Sequence, residues 1–591
     1  MSEISSVGPL VTNDQNAKPL QISKMFAKSQ ERHESPVADL ENGVAESEKP
    51  HTEPTILSSA EEGAAGKVYP PTREVIPVMV ALFMALFLVS LDRTIISTAI
   101  PVMTDRFNSV GDIGWYSSAY MLTACACQLL YGRIYTFYSP KWVFLSSIAM
   151  FEIGSLICGV APSSLAFIIG RAVAGTGSAG IFSGSIVLTV HIVPLRQRPA
   201  YQGVMGAVIM VSSIVGPLIG GAFTTRLTWR WCFFINLPVG ALTILLTIWF
   251  LGTKRYGPLG ADSEEAEAKL SLREKVDRLD PIGSLCFLLG IVCLLLALEW
   301  GGSKYPWSNA RIIVLFVLFG LLIIGFSIVQ VWKKENATLP PRILKYRSVT
   351  AASFFAFCIS GGMTLIVYFL PTWFQAIQGV DALESGIRTL PLIISLLVVS
   401  IISGGLTSTI GYYTPFLILC AVVMAIGGGL MTTFKVHSPK AVWMGFQICF
   451  GLGIGLGQQQ AGLAAQTVLP SKDVSTGVAL KFFGQSLGGT IFVTVGQSVL
   501  SNKLVQNLTK IPGLMASHPG FDPREIVNLG ALELREFFGP QYSDAVILAF
   551  NNSLDSVFQV GMIVSCLALV GALLVEWKSI KGMEVEKPAP G

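Results

Sequence analysis

The chain has 591 residues, of which 52% are hydrophobic and only 13% are charged. Soluble globular proteins carry about 25% charged residues, so this chain lacks the polar surface that several soluble domains would need. The net charge of +4 does not favour a nucleic-acid partner, and the ten cysteines lie in apolar stretches without metal-ligand spacing. The composition therefore predicts an all-α integral membrane protein that crosses the bilayer many times and holds neither a metal nor a cofactor.

The first 74 residues differ from the rest of the chain. They contain 12 acidic and 7 basic residues, are rich in Ser, Glu and Pro, and are poor in aromatic residues. Such a segment cannot bury enough apolar surface to fold alone, so residues 1–74 are predicted to form a disordered cytoplasmic tail. No apolar stretch precedes the first long one, and no cleaved signal peptide is therefore expected.

Beyond this tail, apolar stretches long enough to cross about 30 Å of hydrocarbon recur between short polar breaks. Six precede a charged cytoplasmic loop at 252–280, two linker helices follow at 281–333, and six lie within 350–577. This 6+2+6 plan predicts fourteen transmembrane helices, with an N-terminal six-helix bundle at 75–251 and a C-terminal one at 350–577, as in secondary transporters built from repeated halves. The predicted spans are 75–99, 114–132, 142–161, 165–190, 201–223, 232–251, 282–300, 312–332, 350–375, 386–410, 414–434, 441–467, 475–499 and 555–577.

The distribution of Lys and Arg predicts which side of the membrane each loop faces. With the N-terminus in the cytoplasm, the inner loops hold sixteen of these residues and the short outer loops hold eight. This asymmetry places both termini inside, with 578–591 as a short cytoplasmic tail and 500–553 as an extracellular loop. Two sequons then lie outside, at Asn507 and Asn551, and each is a possible glycosylation site.

Four charged residues lie inside predicted spans, where an unpaired charge is costly: Asp92, Glu152, Arg171 and Lys481. A partly dehydrated carboxyl group at Asp92 is suited to carry a proton, and a fixed structural partner for a buried cation is an equal alternative. Arg171 cannot release its proton, so it can only stabilise a nearby carboxylate. Glu152 is either a second titrating group, a contact for a cationic substrate or a hydrogen-bonding residue of the bundle. Arg93 is expected to reach the membrane interface.

Small residues recur in the fifth span. Ser212, Gly216 and Gly220 are spaced by four residues and so form one flat helical face, with Pro217 as a kink. A flat face permits sliding contact between the two bundles, or it is a packing groove within one bundle.

Amides and aromatic residues supply the candidates for a substrate cavity. Three adjacent glutamines in span 441–467 point around most of a helix, so at least one of them should face a polar cavity. The candidate lining residues are Gln128, Glu152, Tyr368, Phe374, Gln375, Gln458, Gln459 and Gln460.

Other classes of membrane protein fit the sequence less well. An ATP-driven pump needs a phosphate-binding loop that ends in Gly-Lys-Ser/Thr, and the nearest string, at 66–68, lacks both the hydroxyl and the spacing. A membrane di-iron enzyme needs clustered histidines, and the five histidines here are scattered. A channel stays formally open, but helices interrupted by Gly and Pro favour alternating access. We therefore expect a transporter and not an enzyme.

Four strings of residues, in order along the chain, resemble motifs of the major facilitator superfamily, specifically its fungal fourteen-span drug:proton antiporter branch. They lie at 91–101, 171–180, 203–221 and 229–240. The loop at 132–141 departs from the family pattern, because Thr136 stands where an acidic residue is usual, while Arg133 and Lys141 keep the positive charge. Such a loop is similar to that of fungal exporters of toxins and other secondary metabolites.

The resemblance implies a proton-coupled exporter of hydrophobic or amphipathic small molecules such as drugs, antifungals or toxins. It implies that Asp92 carries the proton, and that Arg171 stabilises the charged form of Asp92. We expect a monomer in the plasma membrane, with the vacuolar membrane as the second choice. A siderophore or basic amino-acid carrier and a non-transporting nutrient sensor of the same fold stay open. The residues implied in conformational change are Arg133, Lys141, Gly203, Gly216, Pro217, Gly220 and Gly221.

Overall fold

In the computed structural model, the described part of the chain is mostly helical. The structure describes residues 70–107, 109, 112–251, 271, 274, 277–301, 305–514 and 539–581. Residues 1–69 of the tail predicted at 1–74, most of the loop at 252–280 and residues 582–591 lie outside the described residues. The helices are α1 Thr72–Phe107, α2 Ile113–Phe137, α3 Pro140–Val160, α4 Ser164–Ile192, α5 Arg198–Arg226, α6 Trp231–Phe234, α7 Asn236–Phe250, α8 Pro281–Trp300, α9 Ala310–Lys333, α10 Pro341–Lys345, α11 Arg347–Gln378, α12 Ala382–Ile410, α13 Thr414–Met431, α14 Lys440–Gly457, α15 Ala461–Val468, α16 Val474–Leu508 and α17 Gly539–Leu574, with 3-10 turns at Lys334–Asn336 and Ser471–Asp473.

Residues at the polar breaks set where several helices begin and end. Proline occupies the first turn of α3, α5 and α8, where its missing N–H costs no hydrogen bond. Asp381 caps α12, because its side chain accepts a hydrogen bond from the N–H of Glu384 at 2.7 Å. Gly411 ends the same helix with φ of 90°, a conformation that L side chains rarely adopt.

The helices have the length and composition of membrane spans. Thirteen helical segments among the described residues are long and apolar enough to cross a bilayer. The helix at the second predicted span, α2, has 25 residues but is more polar, since it carries three tyrosines within 116–131, Gln128 and Arg133. The prediction of an all-helical membrane fold is confirmed, whereas the count of fourteen spans is not confirmed by these criteria.

The helices pack in two groups. In the first, which we call the N-terminal bundle (α1–α7), α3 and α2 pack on α4, and α1 packs on α5 and α7. In the second, the C-terminal bundle (α11–α17), α11 packs on α16 and α17, while α14 packs on α12 and α13. Between them in sequence, α8 and α9 pack on each other, and α8 also contacts α2.

The two bundles touch where α2 meets α16 and where α5 meets α12, at the helix ends that the charge distribution places in the cytoplasm. The hydroxyls of Thr136 and Ser475 are 2.7 Å apart. The Ser400 hydroxyl donates to the carbonyl oxygen of Gly203 at 3.2 Å. A Cβ atom at Gly203 would lie 2.5 Å from the carbonyl oxygen of Ser400, so glycine is required for this close approach. The interface between the bundles is therefore closed at these helix ends.

The extracellular loop predicted at 500–553 is shorter than expected, because α16 extends to Leu508 and α17 begins at Gly539. Residues 515–538 lie outside the described residues. Asn551 lies on α17 with 3% of its surface exposed, and its Nδ2 donates to the carbonyl oxygen of Phe434 at 2.9 Å. This nitrogen has no room for a glycan, so the prediction of glycosylation at Asn551 is wrong: a sequon carries no information about burial. Glycosylation at Asn507 stays a prediction.

Candidate functional site

A buried ion pair lies inside the N-terminal bundle. Nη1 of Arg171 on α4 is 2.5 Å from Oδ2 of Asp92 on α1, and the two side chains are 1% and 0% exposed. Two charges taken out of water need further hydrogen bonds to offset their desolvation. Nδ2 of Asn236 on α7 supplies one to Oδ1 of Asp92 at 3.2 Å, and it also lies 3.1 Å from Oγ of Ser155 on α3. The two residues that the sequence singles out are thus in direct contact.

The guanidinium of Arg171 has partners besides Asp92. Its Nε donates to the carbonyl oxygen of Tyr116 at 2.9 Å, and its Cζ lies 4.4 Å from the centre of the Tyr120 ring. Both partners are on α2, so the guanidinium joins α1, α2 and α4. A cation over an aromatic face is stabilised by the ring quadrupole, and this contact does not depend on the charge of Asp92.

Asn236 is the member of this site that sequence reasoning missed. It belongs to the 229–240 string, and an amide within an apolar span was the available signal. The chain turns between α6 and α7, and Asn236 is the first residue of α7, fully buried. Only the packing of α7 against α1 brings this amide to Asp92.

Glu152 is a second carboxyl group near the pair. It lies on α3 one turn before Ser155 and packs against Gly240 of α7, one turn after Asn236. Its two carboxyl oxygens are buried and have no hydrogen-bond partner among the described residues. It faces α7 and is not among the residues that line the cavity of about 280 Å³ between the two bundles. A role for Glu152 in substrate binding stays a prediction.

A cavity of about 280 Å³ lies between the two bundles, and we call it the central cavity. Nine of its lining side chains are apolar, four of them methionines, which adapt readily to different shapes. It is lined by Leu86, Ser90, Arg93, Thr94, Met121, Phe182, Ser185, Ile186, Met205, Ile209, Met210, Ser213, Ser360, Met363, Thr364, Gln458, Gln459, Phe482 and Gln485. The other ten lining side chains are polar or charged, so the cavity combines apolar surface with convergent polar groups, as small-molecule sites commonly do.

Some predicted cavity residues line the central cavity and others do not. Gln458 and Gln459 do, as three adjacent amides led us to expect, while Gln460 is buried elsewhere. Gln128 instead donates to the hydroxyl of Ser183, which fixes it between α2 and α4. The rotation of each helix about its own axis decides which of these amides face the cavity, and sequence periodicity alone does not give that rotation.

Three predicted cavity residues of α11 also lie elsewhere. The ring of Phe374 is buried 5.1 Å from that of Trp443, Tyr368 is 55% exposed beside Phe369, and Nε2 of Gln375 donates to Ser385 at 3.4 Å. None of the three lines the central cavity.

A larger space of about 800 Å³ lies between α12 and α14. It is mostly apolar and includes the partly exposed ion pair of Glu384 and Arg388, 2.9 Å apart. All its described lining residues come from the C-terminal bundle or its connections. We take the smaller cavity as the candidate site, because both bundles line it and the buried ion pair adjoins it through Arg93.

The residues implied in conformational change occupy two kinds of position. Arg133 donates to the carbonyl oxygens of Arg278 and Glu335 at 3.1 and 3.2 Å, and thereby joins α2 to the chain flanking the linker helices. Nζ of Lys141 donates to the carbonyl oxygen of Ile248 at 3.0 Å, at the end of α7. These two cations hold neighbouring segments through backbone oxygens and make no ion pair with an acidic residue among the described residues.

The flat face of α5 packs inside the N-terminal bundle. Oγ1 of Thr94 donates to the carbonyl oxygen of Ser212 at 3.2 Å, and a Cβ at Gly216 or Gly220 would collide with α1. Beside them, Pro217 lies within the helix, and a Cβ at Gly221 would meet no atom within 4 Å. The small residues spaced by four thus form a packing groove, and the expectation of sliding contact between bundles is wrong for this face. On α5, the contact between the two bundles is made at Gly203.

Comparison with known proteins agrees with this architecture. The family model described as Major Facilitator Superfamily matches residues 82–493. The MFS-type efflux pump MFS1 of Trichophyton rubrum is 46% identical over 90% of this chain and 98% of its own length. The rubrofusarin-specific efflux pump aurT of Gibberella zeae is 46% identical over 87% of this chain and 92% of its own length.

A solved structure shows the same fold at low identity. The proton:xylose symporter XylE, bound to 6-bromo-6-deoxy-D-glucose, aligns with a TM-score of 0.55, at 12% identity, over 86% of this chain and 98% of its own. At this identity the likeness concerns the fold alone.

Proposed function

Because this chain belongs to the Major Facilitator Superfamily and is a multi-pass membrane protein, we propose that it exports hydrophobic or amphipathic small molecules in exchange for protons. The direction of transport rests on relatives that span nearly the same length and are named efflux pumps. The central cavity supports the small-molecule cargo, because it combines nine apolar with ten polar or charged lining side chains and lies between two bundles that can rock about it.

The observation that carries proton coupling is the buried pair of Asp92 and Arg171. Of the two, only the carboxyl group can change its protonation state, because a guanidinium keeps its proton in proteins. Protonation of Asp92 removes the ionic attraction to Arg171. The guanidinium then keeps the Tyr116 carbonyl and the Tyr120 ring as partners, so the charge is not left bare.

Coupling follows from linkage between two ligands of one conformational equilibrium. A proton taken up from outside weakens the contact between α1 and α4, and the cargo contacts Arg93 and Thr94, which follow Asp92 on the same turn of α1. Each ligand then shifts the same two-state equilibrium, and each changes the affinity for the other by the same factor. The contacts of Thr136 with Ser475 and of Gly203 with Ser400 would have to separate when the cavity opens to the cytoplasm.

The proposal also assigns roles to the two bundles, an oligomeric state and a membrane. The N-terminal and C-terminal bundles act as the two rocking units, with α8 and α9 as linker helices between them. The protein works as a monomer in the plasma membrane. A basic amino acid is disfavoured as cargo, because the ionisable side chain among the described lining residues of the central cavity is the cation Arg93.

The test is gradient-driven transport by the purified protein in proteoliposomes. A gradient of about two pH units can support about a 100-fold accumulation of a cargo exchanged one for one, since each unit is worth about 1.4 kcal/mol. With fluorescein and rhodamine 123 as probes, we expect the wild type to accumulate at least one dye. Asp92→Asn should reduce that ratio towards one, because an amide cannot carry the proton.

Two measurements keep this test decisive. Exchange of labelled for unlabelled dye without a pH gradient should persist in Asp92→Asn, which shows that the variant is folded. Glu384→Gln makes the same carboxyl-to-amide change at a partly exposed pair and should leave accumulation intact. Full gradient-driven accumulation by Asp92→Asn would remove this residue from the coupling mechanism.

A further inference from the structure

Arg93 presents a positive charge to the central cavity without an acidic partner. Its Nη2 lies 3.3 Å from the sulfur of Met121, a weak acceptor, and no carboxylate is within ion-pair distance of it among the described residues. The neighbouring Asp92 points to the other side of α1, where Arg171 and Asn236 occupy both of its oxygens. Arg93 therefore faces the central cavity, and the expectation that it reaches the membrane interface stays a prediction.

The opposite wall of the cavity holds a second cation one layer behind the surface. Gln485 of α16 lines the cavity, and its Oε1 accepts a hydrogen bond from Nζ of Lys481 at 2.7 Å. Lys481 is 3% exposed, and its Nζ lies 4.3 Å from the centre of the Phe482 ring. It forms no ion pair within the described part of the chain. The ammonium therefore polarises an amide whose donor end can turn to the cavity.

We propose that the central cavity binds its cargo through an acidic group, a carboxylate or a phenolate, held between Arg93 and the Lys481–Gln485 pair. This inference rests on the proposed function and specifies its substrate class. Arg93 belongs to the N-terminal bundle and Lys481 to the C-terminal bundle, so an anion between them contacts both moving units. A guanidinium offers donors in a planar fork that matches a carboxylate, and hydrogen bonds between two charged groups are stronger than neutral ones.

The remaining lining fits the body of such a molecule. Hydroxyls of Ser90 and Thr94 and the amides of Gln458 and Gln459 can bond to further polar atoms of the cargo. The methionines and Phe182 with Phe482, whose ring centres are 5.9 Å apart, provide an apolar and aromatic surface. An aromatic acid or an acidic phenol matches this combination better than a quaternary amine does, because the described lining has no carboxylate for an amine.

An acidic cargo also changes the energetics of export. A membrane potential that is negative inside drives an anion outwards, by about 2.3 kcal/mol per charge per 100 mV, and opposes the export of a cation by the same amount. Inward movement of a proton is driven by the same potential. Both halves of the exchange then move charge in the favourable direction.

The test compares two xanthene dyes of similar size and opposite charge, fluorescein and rhodamine 123, by fluorescence polarisation with the purified protein at neutral pH. We expect fluorescein to bind the wild type more tightly than rhodamine 123. Arg93→Gln should weaken fluorescein binding by about tenfold or more, as the loss of a hydrogen bond to a charged group predicts, and should leave rhodamine 123 unchanged or tighter. Lys481→Gln should weaken fluorescein binding by a smaller factor.

Arg388→Gln is the matched control, because Arg388 is a cation of the C-terminal bundle that lies outside the central cavity. It should leave the affinity for both dyes unchanged. Equal or absent binding of fluorescein by the wild type, or an unchanged dye preference in Arg93→Gln, would overturn the acidic-cargo proposal. Binding is measured without any pH gradient, so this failure is distinct from loss of proton-driven accumulation, which concerns Asp92.

Discussion

The two bundles hold their buried polar groups together in different ways. The N-terminal bundle has a charged cluster, in which Asp92 and Arg171 form an ion pair that Asn236 supports. In the C-terminal bundle, the indole nitrogen of Trp373 donates to Oδ1 of Asn551 at 2.9 Å, and Asn551 donates to the Phe434 carbonyl and to Asp555. No ion pair joins this second cluster among the described residues.

We infer from this difference that the two clusters have different roles, one in proton coupling and one in fixing helices. An ion pair in an apolar interior changes its energy greatly when one member is protonated, so it can couple a proton to movement. The Asn551 amide bonds to an indole, a carbonyl and the carboxyl group of Asp555, none of them a cation, and it fixes α11 against α17. We therefore expect the N-terminal bundle to respond to protons and the C-terminal bundle to act mainly as the partner wall of the cavity.

The largest effect should follow from Arg171→Met. This change leaves Asp92 as an uncompensated buried charge and should lower stability by about 3–5 kcal/mol. Thermal unfolding of the purified protein in detergent measures it. The double variant Asp92→Asn/Arg171→Met should regain most of the loss, because both charges are then removed.

The partly exposed pair of Glu384 and Arg388 in the C-terminal bundle is the control for the Arg171→Met prediction. Arg388→Met breaks a partly exposed pair with Glu384, and such pairs contribute about 0–1 kcal/mol. Equal destabilisation by Arg388→Met and Arg171→Met would contradict the view that the charged cluster of the N-terminal bundle is special.

A smaller effect is expected from Asn551→Ala in the C-terminal bundle. The indole N–H of Trp373 then stays buried without an acceptor, which costs about 1–3 kcal/mol. The unfolding temperature should fall, while the pH-gradient dependence of dye transport in the surviving protein should not change. A changed gradient dependence would show that this cluster takes part in coupling.

The smallest effect is expected where the two bundles meet. Thr136→Val keeps the side-chain shape but removes the hydroxyl that lies 2.7 Å from Ser475. One neutral hydrogen bond is worth about 0.5–1.5 kcal/mol, so opening at this end should become about two- to tenfold more frequent. Hydrogen exchange of the first turn of α16 should accelerate accordingly. Thr247→Val removes a buried hydroxyl of α7 and should leave this exchange unchanged.

The sequence by itself determined the architecture and the main charged pair. Long apolar stretches can satisfy their backbone hydrogen bonds within the bilayer only as helices, so the spans follow from composition. A charge within such a span needs a partner, which makes Asp92, Glu152, Arg171 and Lys481 the candidates. The resemblance to the major facilitator superfamily then implies that Arg171 stabilises Asp92. The polar breaks, with their prolines and capping residues, fixed most helix ends.

Only the tertiary structure decided which way the side chains of each helix face. The rotation of a helix depends on its packing against its neighbours, and small residues or amides at regular spacing fit more than one rotation. For this reason the sequence did not reveal that Asn236 reaches Asp92, that Arg93 faces the central cavity, or that Ser212 and Gly216 contact α1. Contacts between residues more than a hundred positions apart form only when the bundles assemble.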